Sequence, residues 1–347
     1  MTLYTDLSPT ACAVLRARVQ DGSLPAGAVL RADVRSLDAA ALAPYLHVHL
    51  FAGIAGSPLG LAWAGWPDEW TVVTGGFPCQ DISSAGKGAG LDGARSGLFW
   101  EMIRVISNKR PLAVFAENVG ALSARGLDRV VDSLEQVGYE VEALRVGSWA
   151  VGSPQERERW WFICVRRDAV PGRELANVRG AGQGTSGISG AGTIANLRSE
   201  ASDLGGTVDA RREGLQRTAG GGERVLSAAG DPRRWPHPRW CVIDADGRER
   251  TVPTPQYDWE PPRLFGGTRT ISARWRLALM GYPLHWLDVD PAIVAELAGP
   301  RVKTDEARAR WWNKAGIEHT GNAQTPQVVA VLAAGLMDAI KNGRAVA

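Results

Sequence analysis

The sequence predicts an α/β protein built on a doubly wound, mostly parallel sheet covered by helices, with a small second domain. Three observations predict this. From Leu3 onward, short apolar runs alternate with runs of helical periodicity three times in succession, the pattern of parallel strands joined by crossover helices. The third run, Leu46 to Phe51, enters the turn Ala52-Gly53-Ile54-Ala55-Gly56; in such sheets a nucleotide-like ligand lies across the carboxyl ends of the strands, where a glycine turn lets backbone approach closely. The length of 347 residues, 45% hydrophobic and 22% charged, suits one large domain plus a smaller one.

Each element follows from local signals. Leu3 to Asp6 reads as a short strand ending in a carboxylate; Ser8 and Pro9 supply a cap and a first-turn proline, and Ala11, Val14, Leu15 and Val19 recur at helical spacing until Gly22. Ala28 to Ala32 is a second strand ending in Asp33, and Asp38 caps a short helix through Leu42. Ser57 and Pro58 open the helix after the glycine turn. Trp70 to Thr74 is a buried strand leading into Gly75-Gly76-Phe77-Pro78-Cys79-Gln80, and Asp81 to Gly90 is a Gly/Ser-rich loop with little to bury. The run Arg95 to Trp100 then leads into a helix through about Ser107. The strand Leu112 to Ala116 delivers Glu117, a helix runs from about Leu127 to Gly138, and strands follow at Tyr139–Val146 and Trp160–Val165.

Composition narrows the function classes. A net charge of +2 is too small to argue for nucleic acid by itself, so polyanion binding would rest on a local patch. Cys12, Cys79, Cys164 and Cys241 lack metal-ligand spacing, which suits a reducing cytosol and argues against a disulfide scaffold or structural zinc. No apolar run approaches the roughly 18 residues of a membrane span, and no signal-peptide pattern opens the chain. A cytoplasmic protein is expected. A lone cysteine is commonly a small buried hydrophobe, but a thiol at a strand end beside a mobile loop is well placed as a nucleophile.

Three runs in order, Pro78-Cys79-Gln80, Glu117-Asn118-Val119 and Gln155-Glu156-Arg157-Glu158-Arg159, resemble the Pro-Cys-Gln, Glu-Asn-Val and Gln-x-Arg-x-Arg elements of the cytosine-carbon-5 DNA methyltransferases. The resemblance covers roughly residues 1–168 and 269–330. It implies a Rossmann-like S-adenosylmethionine-dependent methyltransferase fold, with methyl transfer from S-adenosyl-L-methionine to a flipped-out cytosine in duplex DNA and S-adenosyl-L-homocysteine as product. Cys79 would be the nucleophile, Glu117 would protonate or hydrogen-bond the ring, and Arg157 and Arg159 would favour the thiolate or hold the base carbonyl. Cofactor contacts are expected from Asp6, Leu7, Asp33, Phe51, Ala52, Gly53, Ile54, Pro78, Leu98, Asn322 and Ala323, and DNA contacts from Gln80, Ser83, Ser84, Lys87, Arg95 and Gln155. Asn118 would orient Pro78 and its loop. No metal is expected, a monomer is the expected state, and the protein would associate with the nucleoid when bound to DNA, as in restriction-modification.

The order of parts departs from the family. Only about 18 residues separate Gly56 from Gly75, too few for the two acid-ended strands that the family places there. Asp6 resembles the ribose-binding carboxylate and Asp33 the one facing the adenine amino group, so the N-terminal half reads as a local permutation. His49 stands where the family has an acid, Leu7 where an aromatic often lies, and Ala55 where it has a glycine; the alanine is tolerable if its backbone avoids positive φ. Residues 1–168 are expected to form the catalytic and cofactor-binding domain, 169–319 the target-recognition region, with about 171–230 loop-rich, and 320–347 a returning C-terminal helix with Val328, Val329, Leu332, Leu336 and Ile340 as its apolar face. Tyr257, Trp259 and Phe265 would form a small core, and Arg274 to Pro283 resembles the family element holding the recognition domain. Two alternatives remain: the same chemistry on tRNA, and a nucleic-acid-binding homologue whose site has decayed.

Overall fold

The computed structural model describes residues 1–77, 98–119, 122, 126–153, 155, 157–169, 240–252, 265–266 and 268–342. The chain divides into two units, Met1–Val170 with Arg239–Val346, and Pro171–Pro238 with Ala347. Every described residue lies in the first. Tyr257 and Trp259 fall outside the described residues.

The strands are β1 Thr2–Asp6, β2 Gly27–Arg31, β3 His47–Leu50, β4 Val72–Gly76, β5 Ala113–Val119, β6 Tyr139–Gly147 and β7 Glu158–Arg166, arranged in one sheet of order β2-β1-β3-β4-β5-β7-β6. The first five are parallel; β7 runs antiparallel to β5 and to β6. A separate antiparallel pair comprises β8 Trp240–Ile243 and β9 Glu249–Val252. The helices are α1 Pro9–Gln20, α2 Ala39–Leu42, α3 Gly56–Ala64, α4 Leu98–Lys109, α5 Leu127–Gln136, α6 Ala273–Leu279, α7 Pro291–Ala298, α8 Asp305–Asn322 and α9 Pro326–Lys341. The mostly parallel, helix-covered sheet is the expected fold.

Local signals set the boundaries. Ser8 Oγ accepts the Ala11 N–H at 3.3 Å and Pro9 occupies the first turn of α1, satisfying a donor that the helix cannot. Asp38 Oδ1 caps α2 through the Ala41 N–H at 2.7 Å. The central strands are apolar on both faces because helices cover both. On one face Val48, Val73 and Val114 pack against Phe99, Met102, Val105 and Ile106 of α4. On the other, Tyr4 packs with Val14 and Leu15 of α1 and Leu59 of α3, while Val72, Ala113 and Phe115 meet Leu61 of α3 and the apolar side of α9.

The crossovers do not share one hand. β3–α3–β4 and β4–α4–β5 advance in the same direction across the sheet, yet α3 and α4 lie on opposite faces. β1–α1–β2 advances the other way on the face of α3, which gives it the hand of β4–α4–β5. The connection through α3 is therefore the dissenting one, and since about 98% of such crossovers are right-handed, it is the left-handed exception.

Helix α3 is held where it is by α9. A Cβ on Gly60 would lie 2.4 Å from Pro326 O and 2.5 Å from Val329 Cβ, so the two helices meet backbone to backbone. One window within Asp305–Lys341 has the length and apolarity of a membrane span, but 67% of it is buried inside the protein. This corrects the expectation that no such run exists: α9 is apolar because it is a core helix. Gly60→Leu should lower stability by about 1–3 kcal/mol through overpacking, read as a shift in the urea midpoint; an unchanged midpoint would contradict this close approach.

Candidate active site

The loops after β1 and β3 diverge because the chain leaves β1 towards β2 and leaves β3 towards β4. That opens a crevice at the carboxyl ends of the strands, the place where open α/β sheets hold ligands. Asp6, the last residue of β1, braces it: Oδ1 accepts the Ser8 N–H at 2.8 Å and Oδ2 the Gly53 N–H at 2.8 Å. A carboxylate offers about four lone-pair sites, so acceptor capacity remains. Ala52 N–H reaches Thr5 O at 2.9 Å, extending the β1–β3 ladder into the turn, and Ile54 O accepts the buried Trp286 indole N–H at 2.7 Å.

The turn itself is strained. Phe51 has φ 49°, Gly53 φ 52° and Ala55 φ 68°, a left-handed backbone that costs a non-glycine residue roughly 1–2 kcal/mol. Ala55 thus does not meet the condition of avoiding positive φ and is tolerated all the same: the residue is fully buried and ends the turn as the residue before α3, and packing holds it there. Ala55→Gly should raise stability by up to about 1 kcal/mol, less the extra chain entropy of glycine, by the same urea titration.

The remaining expected cofactor residues are spread more widely. Leu7 is 61% exposed just beyond β1, an apolar surface beside the crevice. Asp33 lies one strand further out, where Oδ1 caps a short 3₁₀ turn through the Arg35 N–H at 3.0 Å and Oδ2 pairs with the Arg35 guanidinium at 2.5 Å; the Arg35 side-chain and backbone hydrogen bonds hold its carboxyl down at about 2. Phe51 and Leu98 pack against the core around Phe77 and Phe99. Asn322 is exposed at the end of α8, and Ala323 is buried just after it. Gln155 is half-buried, its N–H on Ser153 Oγ at 3.3 Å. Pro78, Cys79, Gln80, Ser83, Ser84, Lys87 and Arg95 lie outside the described residues. Cys12 and Cys164 are buried and free, and burial pushes both thiols up, away from reactivity.

Acid and arginines do meet. Glu117 lies near the end of β5 with its side chain 8% exposed, and Arg159 Nε of β7 is 2.9 Å from its Oε1. The register brings the two within reach, because β5 and β7 pair Glu117 with Trp161 and Val119 with Arg159. Burial pushes the Glu117 carboxyl up while Arg159 and Arg157 pull it down. Arg157 turns elsewhere: its Nη2 donates to Gly321 O at 2.8 Å and Ala323 O at 2.5 Å, and burial and then Arg159 lower it to about 10. It clamps the chain between α8 and α9 to the rim of the sheet. Gly76 pairs with Glu117 across β4 and β5, and a Cβ there would come within 2.9 Å of Glu117 Oε2. Asn118 Nδ2 donates to Phe77 O at 3.2 Å, holding the carbonyl that precedes Pro78.

Sequence reasoning missed Gln324 and Ser57. Gln324 Oε1 accepts the Ser57 N–H at 3.1 Å and its hydroxyl, and its Nε2 and Glu117 Oε2 both lie about 3 Å from the point where a Gly76 Cβ would sit. Their only signal was membership of two runs, the helix start after the glycine turn and Gly321 to Val328. His49, by contrast, is a core residue: Nδ1 is 2.8 Å from Thr74 Oγ1 and the ring stacks on Tyr4 at 5.2 Å. Burial and His47 push its imidazole down to about 3. The unfolded chain therefore binds a proton that the folded chain refuses. Its contribution is complete above the unfolded value of about 6.5 and is lost as pH falls towards 3. The urea midpoint of His49→Gln should accordingly fall less steeply than that of the wild type between about pH 6 and 4; parallel slopes would contradict a neutral buried imidazole.

The model of the C-5 cytosine-specific DNA methylase family matches residues 64–179. Type II methyltransferase M.CviJI of Paramecium bursaria Chlorella virus IL3A is 32% identical over 114 residues, 33% of this chain and 31% of its own. Type II methyltransferase M1.ScrFI of Lactococcus lactis subsp. cremoris is 38% identical over 108 residues, 30% of this chain and 28% of its own. The solved S. pombe Dnmt2 methyltransferase aligns over 97% of this chain and 91% of its own, at 15% identity and a TM-score of 0.44. The chain spans about a third of the length of the curated relatives it matches. The matched stretch, residues 64–179, carries Glu117, Arg157 and Arg159.

Proposed function

We propose that this chain is a DNA cytosine-5 methyltransferase. The observation that carries it is the buried Glu117–Arg159 pair beside Gly76, three residues before Cys79. Cytosine carbon 5 is a poor nucleophile; adding the Cys79 thiolate to carbon 6, with Glu117 donating a proton or strong hydrogen bond to ring nitrogen 3, makes the ring an enamine that attacks through carbon 5. Loss of the carbon 5 proton then expels the thiolate and restores the ring. A carboxyl pushed up by burial is suited to this donation. When bound, S-adenosylmethionine supplies the methyl group as a sulfonium electrophile and leaves as S-adenosylhomocysteine.

The crevice fits that cofactor in its donor set: the Asp6 carboxylate with acceptor capacity remaining, the exposed Leu7, the turn 51–54, Asp33, and the segment at Asn322 and Ala323. Pro78 and Leu98 would complete it. In this reading the N-terminal half is a permutation whose acid-ended strands were moved to the front, and the left-handed connection through α3 is what such a re-cutting leaves behind. Residues 1–168 carry catalysis, 169–319 recognition, and 320–347 return to the catalytic domain. The base must leave the duplex to reach the thiol; Gln80, Ser83, Ser84 and Gln155 would contact DNA and Lys87 and Arg95 its phosphates. The protein would act as a monomer in the cytoplasm, without metal.

Transfer of a labelled methyl group to duplex DNA and to tRNA in parallel tests this. Label is expected on DNA, absent in Cys79→Ala and lowered about 10²–10⁴-fold in Glu117→Gln. Label on tRNA alone would replace the substrate, and nucleic-acid binding without transfer or trapping on 5-fluorocytosine DNA would mark a decayed site. Asp6→Ala and Asp33→Ala should each weaken cofactor binding in a titration; unchanged affinity in both would overturn the cofactor assignment.

A further inference from the structure

Gln324 stands between the two halves of the crevice. Its Oε1 faces Ser57, the second residue of α3, because the Ser57 backbone N–H can only donate. That fixes the amide: the NH₂ must be the group turned to the Glu117 side, over Gly76. The point where a Gly76 Cβ would sit lies 2.9 Å from Glu117 Oε2 and 3.1 Å from Gln324 Nε2, so amide and carboxylate lie together over the same side of the strand that leads to Cys79. Arg159 occupies the other carboxylate oxygen.

The amide's own backbone is equally fixed. Gln324 O accepts the Tyr282 hydroxyl at 2.7 Å, the Ala323 carbonyl is held by Arg157, and Pro326 begins α9 two residues later. A glutamine tied at both ends has little freedom to release the carboxylate it serves.

We propose that Gln324 is a positioning residue for Glu117: it holds the carboxyl in one orientation and, through Ser57, ties that orientation to the helix that continues the cofactor turn. The proposal rests on the reading of Glu117 as the group that serves the base. Without Gln324 the carboxyl keeps its burial and Arg159 but loses a donor that favours its charged form, so its proton is held more tightly.

The test follows the Glu117 carboxyl carbon by NMR through a pH titration of the full chain, in wild type, Gln324→Met and Ser57→Ala. The midpoint should rise by about one pH unit in Gln324→Met and by less in Ser57→Ala. In methyl transfer to DNA, Gln324→Met should lower kcat about tenfold, leave KM for both substrates unchanged, and move the alkaline limb of the kcat profile upward with the midpoint. Titration curves that coincide with wild type overturn the proposal, as does a fall in kcat with an unmoved limb. Should Gln324→Met not fold, Ser57→Ala decides by the same criteria. A wild type that transfers no methyl group defeats the methylation reading instead, and the NMR titration still judges Gln324.

Discussion

A carboxylate buried at the end of a strand is among the costlier groups that a fold can hold, and the rest of the crevice is arranged around the one at Glu117. Its neighbour in β4 is a glycine because any side chain there would strike it. Its partner comes from the antiparallel strand β7, placed next to β5 so that an arginine two positions from the cross-strand residue reaches back. Behind that arginine a second one donates its hydrogen bonds to backbone carbonyls and adds its charge to the pull on the carboxyl. The carboxyl thus sits between opposing influences, dehydration favouring the neutral form and donors favouring the charged one, the balance that acid–base chemistry near neutral pH requires.

The crevice also depends on which strands are neighbours, not on the order in which the chain visits them. Asp6 reaches Gly53 because β1 and β3 are paired, although 47 positions lie between the two residues. The same geometry would arise if the glycine turn came first. What changes is the connection: leaving β3 for β4 on the face that α1 also covers demands a crossover of unusual hand, and the close packing of α3 on α9 fixes it.

Much of this was legible in residues. Ser8-Pro9 and Asp38 announced their helices through capping chemistry, Asp6 ended its strand as its place after an apolar run implied, and Glu117 with Arg159 came from short runs whose meeting followed once β5 and β7 paired. What was not legible depended on non-local contact. The insertion of β7 between β5 and β6 is not set by either strand's own pattern, since β6 carries Glu140, Glu142 and Arg145 on a half-exposed strand and β7 is apolar at its centre, and neither pattern names a neighbour. The sign of φ at Ala55 is decided by what packs on the turn, against the preference of alanine. Arg157 and Arg159 look alike in sequence, yet Arg159 lies within β7 and reaches a carboxylate, while Arg157 just precedes the strand and reaches carbonyls. Arg35 pairing with Asp33 occupies a carboxylate that the sequence left open.

The packing of α3 has a consequence for synthesis. Its glycine face waits for Pro326 and Val329, more than 260 positions later in the chain, so at roughly 5–20 residues per second the nascent helix spends tens of seconds on the ribosome without its cover. The parallel strands on either side of it cannot close their second layer until Pro326 and Val329 have been made, which delays folding of this sheet and leaves an apolar surface for a chaperone to guard in the interval.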